Sequence, residues 1–212
     1  MRKTQFVNGE YYHIYNRGVD KREVFLDSGD YFRFIKSLRE FNNSLTREER
    51  MRLESKRSKK SELSSGKIVE IVCFCLNPNH YHFILKQLVD KGIENFMHKL
   101  STGYTNYFNK KNDRNGSLFQ GPFKSVHIGS NNYLLYLSAY VNCNSEVHGI
   151  SPAENYKWCS FRDYISKKSS GLCSKDIILS QFSSLNEYRE FAKNNAKEMK
   201  YKKETEKLLL ED

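Results

Sequence analysis

The sequence predicts an α+β fold: a ferredoxin-like split β-α-β sandwich with an antiparallel sheet, an added helix after it, and a helical tail. Three observations predict it. Four short segments near residues 9–18, 68–76, 80–87 and 123–128 carry the two-residue alternation or the compact apolar runs of strands. Two segments, 28–43 and 92–111, repeat their apolar residues at helical spacing. Their order is strand, helix, strand, strand, helix, strand.

GEYYHIYNRG (9–18) alternates and then stops at Gly18, which reads as the first strand. Asp27 or Ser28 can cap the helix that follows, in which Phe32, Ile35 and Leu38 recur on one side. Residues 44–67, SLTREERMRLESKRSKKSELSSGK, are charged and Ser-rich, and read as a basic, exposed insertion. IVEIVCFCL (68–76) and HYHFILKQ (80–87) flank the turn residues Asn77-Pro78-Asn79, so they form an antiparallel hairpin. From Gly92 to Lys111 the residues Ile93, Phe96, Met97, Leu100, Tyr104, Tyr107 and Phe108 predict a helix covering the sheet. Glycines at 116, 121 and 129 frame a loop and the fourth strand, FKSVHI. The third helix runs over 131–149, capped by Asn131 or Asn132 and ending near Gly149. Beyond it WCSFRDYI reads as loop, followed by two short helical patterns at 175–193 and 194–210. The expected organisation is one domain over 1–165 and a helical appendage over 166–212.

With 35 Lys and Arg against 25 Asp and Glu, the formal net charge of +10 favours polyanionic partners. Fourteen Tyr and 14 Phe in a hydrophilic chain place many rings near polar surface, where they can stack on bases as well as pack. The five cysteines include no C-x-x-C pair, and no signal peptide precedes them, so reduced thiols and a cytoplasmic location are expected. No segment approaches the roughly 18 apolar residues of a membrane span.

The stretch Asn77 to Leu85 reads NPNHYHFIL. Residues two apart on a strand share a face, so His80 and His82 project together, about 7 Å apart by backbone rise. That spacing suits two imidazoles on one divalent ion. Without partners it also describes two polar residues at a strand entrance. In the third helix Tyr136, Tyr140 and Asn144 are four residues apart and form one stripe. An amide oxygen there can serve as a third ligand, with a phenol one turn away beside a metal-bound phosphate. The same stripe also fits ordinary helix packing.

CFCLNPNHYHFIL resembles the signature of the HUH single-tyrosine transposases: Leu, Pro-Asn-His, a further residue and His. YHIYNRGVDKREVF, NGSLFQGPFKS, LLYLSAYVNCNSEVHGI and YKWCSFRDY agree in order, so residues 9–165 resemble the REP-associated tyrosine transposases and their relatives. The resemblance implies a ferredoxin-like domain that cleaves single-stranded, hairpin-forming DNA and transfers the strand, as in DNA transposition or a domesticated form of it. His80 and His82 match the metal pair, Asn144 the third ligand and Tyr140 the nucleophile. Attack by Tyr140 gives a 5′-phosphotyrosine and a free 3′-hydroxyl, with Mg²⁺ or Mn²⁺ and no nucleotide cofactor. Relatives work as dimers or as monomers, which leaves a homodimer open.

Three positions depart from the family pattern. Ser145 stands in place of the usual proline, Pro122 stands where relatives often carry arginine, and Tyr81 is a polar residue where the signature has a hydrophobic one between the histidines. Basic residues flanking the first strand's exit (Arg17, Lys21, Arg22) and the loop before the fourth strand (Lys110, Lys111, Arg114, Lys124) are candidate DNA contacts. His13, His98, His127 and His148 read as structural or loop residues, with His127 a candidate for backing the ligands. The alternative function is a non-cleaving regulatory module that binds hairpin DNA or RNA. A nuclease using water would leave Tyr140 unmodified.

Overall fold

The computed structural model describes residues 4–45, 66–167 and 170–208; most of the basic insertion expected over 44–67 lies outside the described residues. In chain order the elements are β1 (Tyr11–Arg17), α1 (Ser28–Glu40), β2 (Val69–Asn77), β3 (His80–Gln87), α2 (Gly92–Lys111), β4 (Lys124–His127) and α3 (Asn131–Asn142). Three one-turn helices follow, α4 (Asn144–Val147), α5 (Phe161–Tyr164) and α6 (Asp176–Leu179), and then the long α7 (Leu185–Leu208). The strands form one antiparallel sheet in the order β2-β3-β1-β4, the arrangement expected of the split β-α-β sandwich.

Each face of the sheet is covered. On one face Ile14, Phe74, Leu76, Tyr81, Phe83 and Leu85 pack against Phe34 and Leu38 of α1 and Phe96, Leu100 and Tyr104 of α2. The other face buries Cys73, Cys75 and Ile84 under Leu134, Leu137 and Val141 of α3, with Tyr188, Ala192, Ala196 and Met199 of α7 completing that core. The helix expected as part of an appendage therefore contributes core side chains. It is also one continuous helix, where two short ones were expected.

The pairing of β2 with β3 shifts between Ile71 and Cys73, leaving Val72 as an extra residue in a β-bulge. Before the bulge the odd residues Val69 and Ile71 face α1 and α2; after it the even residues Phe74 and Leu76 do so. Cys73 and Cys75 thereby turn to the α3 face, opposite Ile84 and His82, and Asn77 comes opposite His80. The hairpin closes on Pro78 and Asn79, whose carbonyls accept from Val24, Phe25 and Gly18 N–H groups.

Asp27 caps α1 by accepting from Asp30 N–H at 3.1 Å. The cap of α3 is Ser130, which accepts from Tyr133 N–H, in place of the expected Asn131 or Asn132. This third helix also breaks at Cys143, whose φ of −100° and ψ of 13° leave helical geometry. A buried polar chain ties α3 to its neighbours. Ser160 Oγ accepts from Phe74 N–H at 2.8 Å and donates to Asn142 Oδ1 at 2.6 Å, and Asn142 Nδ2 donates to Tyr188 Oη at 2.7 Å. With every member satisfied, such a network fixes how α3 and α7 sit on the sheet.

Candidate active site

The hairpin turn delivers His80 as the first residue of β3, and the strand's alternation places His80 and His82 on the face that α3 covers. Across the ladder β1 sets Arg17 opposite His80 and Tyr15 opposite His82. Tyr140 of α3 meets the His82 ring edge-on, with centroids 5.4 Å apart and planes at 81°. These side chains, with Asn16, Gln120, Lys124 and His148, line a cleft of about 270 Å³. All of them come from one chain.

The hydrogen bonds decide which nitrogen of His80 carries the proton. Asn79 Nδ2 donates to Lys21 O at 3.1 Å, so its Oδ1 is the atom 2.6 Å from His80 Nδ1. Nδ1 must then carry the proton, and in the neutral ring Nε2 keeps its lone pair. That lone pair lies 3.2 Å from Asn144 Oδ1, and the Asn77 amide donates to both atoms, at 2.9 and 2.6 Å. The Asn77 amide thus bridges the two acceptors and holds them side by side. The buried Nδ2 of Asn144 has no hydrogen-bond partner among the described residues, which leaves this amide held by its oxygen alone.

His82 is buried, and its Nδ1 is 2.9 Å from Nε2 of His13. The two rings lie nearly parallel, 14° apart, and Tyr15 stacks on both. A proton on His82 Nδ1 donated to His13 frees His82 Nε2 as a lone pair. This is the arrangement by which a partner behind a metal-binding histidine fixes its tautomer.

Burial keeps these rings neutral. It lowers the pKa of His13 and of His80 to about 4 and that of His82 well below the usual imidazole range, with neighbouring imidazoles adding to the effect at His80 and His82. Neutral imidazole is the metal-binding form. Burial also raises the Tyr140 pKa, so the phenol is protonated at neutral pH. Among the described residues no three His, Cys, Asp or Glu side chains converge as a metal site. The converging donors are two neutral imidazoles and one amide oxygen, a set that fits a divalent ion with open positions for water or phosphate oxygens.

The other candidates spread over the surface. Arg17 and Lys124 line the cleft. Arg22 pairs with Asp20 at 3.1 Å. Lys111 is held 2.7 Å from both Asp27 and Asp30, where it joins α2 to α1. Arg114 bonds Asn109 and lies over the Phe108 ring, and Lys21 and Lys110 are exposed. Tyr136 is 40 % exposed and lines no part of the cleft. His127 is an exposed residue 2.9 Å from Glu10; the backing role expected of it falls to His13. Sequence reasoning also missed Asn77, which it read only as a turn residue, and His148, whose ring lies 4.8 Å from that of His80. The signal for His13 was present: Tyr11, His13, Tyr15 and Arg17 share one face of β1.

The sequence model of a family described as IS200-like transposase matches residues 31–144, more than half of the chain. A comparison with curated proteins finds no match. Among solved structures the chain is similar to one described as a REP-associated tyrosine transposase bound to a REP hairpin. The identity is 13 %, the match covers 81 % of this chain and 87 % of that chain, and the TM-score is 0.51. At that identity the likeness is one of fold.

Proposed function

The chain belongs to the IS200-like transposase family, and from that premise we propose that it cleaves and rejoins single-stranded, hairpin-forming DNA through a covalent bond to Tyr140. His80, His82 and Asn144 would hold Mg²⁺ or Mn²⁺ there. The observation that carries this reading is the Tyr140 ring, edge-on to His82 at 5.4 Å within one cleft. The hairpin bound by the structural neighbour supports the choice of substrate.

In the proposed step Tyr140 Oη attacks a backbone phosphorus and loses its proton as the P–O bond forms. The bond to the 3′ oxygen breaks, that oxygen takes up a proton, and the 5′ phosphate stays on the tyrosine. The cation, when bound, polarises a non-bridging oxygen and offsets the developing charge. Arg17 and Lys124 line the cleft as cations for the phosphate. His13 and Asn79 hold the imidazoles in the tautomers that keep their lone pairs available. The reverse attack by a 3′-hydroxyl, from the same or another strand, rejoins the DNA without a nucleotide cofactor, because the phosphotyrosine conserves the phosphodiester energy.

The test incubates the protein and a labelled single-stranded hairpin with Mn²⁺ and looks for DNA at protein mass on a denaturing gel. Wild type forms the adduct; Tyr140→Phe abolishes it and keeps binding. An undiminished adduct in Tyr140→Phe indicts another tyrosine. Binding with no adduct and no cleavage selects the regulatory module, and cleavage without an adduct selects a water nucleophile.

A further inference from the structure

We propose that α7 delivers Lys203 to the mouth of the His80, His82 and Tyr140 cleft as a phosphate-holding residue, acting with Arg17 on one phosphodiester of a bound DNA strand. The inference rests on the reading of the cleft as a DNA site. Lys203 Nζ lies 2.8 Å from Nδ1 of His148, the imidazole that lines the cleft beside His80. One ammonium hydrogen is used by His148, which leaves two for phosphate oxygens. Arg17 reaches the same place from the sheet, opposite His80. Burial and then the charge of Arg17 push the Lys203 pKa down, so the two cations feel one another.

What sets Lys203 apart is its contact with a cleft imidazole, made with no counter-charge beside it. On the same helix Arg189 and Lys193 are paired with Glu154, and Lys200 with Glu204. Among the described residues neither Lys203 nor Arg17 has a carboxylate within ion-pair distance. The imidazoles between them are neutral and compensate nothing. Two like charges held together without an acid repel in the free protein, and that repulsion is relieved by a ligand carrying negative charge. Beside a candidate tyrosine nucleophile, that ligand is a nucleic-acid phosphate. The helix that buttresses α3, and so Tyr140, through Tyr188 and Ala192 thus also supplies a cation.

The experiment measures binding of a labelled stem-loop oligodeoxynucleotide with unpaired flanks, in EDTA, across a salt series. Lys203→Gln weakens binding about tenfold at low salt and flattens the slope of log K against log salt by about 0.7, with the melting temperature unmoved. Lys203→Arg restores both quantities. Lys202→Gln, an equal change of charge at an exposed neighbour, keeps the wild-type slope. An unchanged slope in Lys203→Gln, or the same loss in Lys202→Gln, overturns the proposal. Binding is read without cleavage, so an absent Tyr140 adduct sinks the proposed reaction and leaves this result standing.

Discussion

Replacing His13 by phenylalanine removes the group behind His82 and little else. A flat ring stays, one atom larger than the imidazole, and the stacking surface that His13 shares with Tyr15 and His82 is kept. What goes is the 2.9 Å hydrogen bond to His82 Nδ1. His82 is 8 % exposed and is hemmed in by Tyr15, His80 and Tyr140, so the ring stays in place but loses the partner that selects its tautomer. Leaving a buried polar atom unpaired costs about 1–3 kcal/mol, and loss of such a backing partner lowers metal affinity roughly 10- to 100-fold. The two scales agree, since tenfold corresponds to about 1.4 kcal/mol. Calorimetric titration of the DNA-free protein with Mn²⁺ therefore shows a Kd raised by one to two decades in His13→Phe. Adduct formation is restored at proportionally higher Mn²⁺. An affinity within twofold of wild type refutes the assignment of His13 as the residue that orients His82.

Tyr188→Phe deletes the hydroxyl that accepts from Asn142 and leaves that residue's buried Nδ2 unpaired. Thermal unfolding should show a loss of about 2 kcal/mol, a drop in melting temperature of roughly 4–8 °C; an unshifted transition would mean the polar chain beneath α3 holds nothing. Glu154 links the segment after α4 to α7, and the hydrogen bond from Arg189 lowers its pKa from 4.5 to about 2. A carboxyl with a depressed folded pKa stabilises fully above the unfolded value and loses that contribution as pH falls through the folded one. Glu154→Gln is thus less stable than wild type by about 1 kcal/mol at pH 7, and urea titrations show the gap closing below pH 4.5 and vanishing near 2; a gap that persists there contradicts the ion pair.

The parts of the molecule that obey local periodicity were legible in the letters. Alternation placed β1 and β3, apolar spacing marked α2 from Gly92 to Lys111, and the two-residue repeat put His80 and His82 on one face. What escaped were features decided by tertiary contacts. The bulge at Val72 has no residue signature, because valine sits as well in a regular strand as in an irregular one. The break at Cys143 involves neither glycine nor proline, although Ser145 just beyond it replaces the proline of relatives. The expected boundary between 193 and 194 falls at two asparagines, yet Asn195 turns its amide back to Phe191 O and the helix runs on, anchored by Ala192, Ala196 and Met199. Lys203 lay within the helical pattern at 194–210 with nothing to mark it; only the docking of α7 brings it to His148. His13 was visible as a residue on the site's face of β1 but had no motif to mark it.

The irregular residue in β2 has a consequence for how sequences of this kind are compared. It acts as a phase switch: every side chain downstream of it, as far as Asn77, is read out on the layer opposite to the one a simple alternation assigns. A descendant that lost Val72 would pair Ile71 with Leu85 and Cys73 with Ile84 in one unbroken register and still keep Asn77 opposite His80. The layer that a β2 side chain joins is therefore counted back from the turn, and the turn, not the start of the strand, is what holds Asn77 at the site.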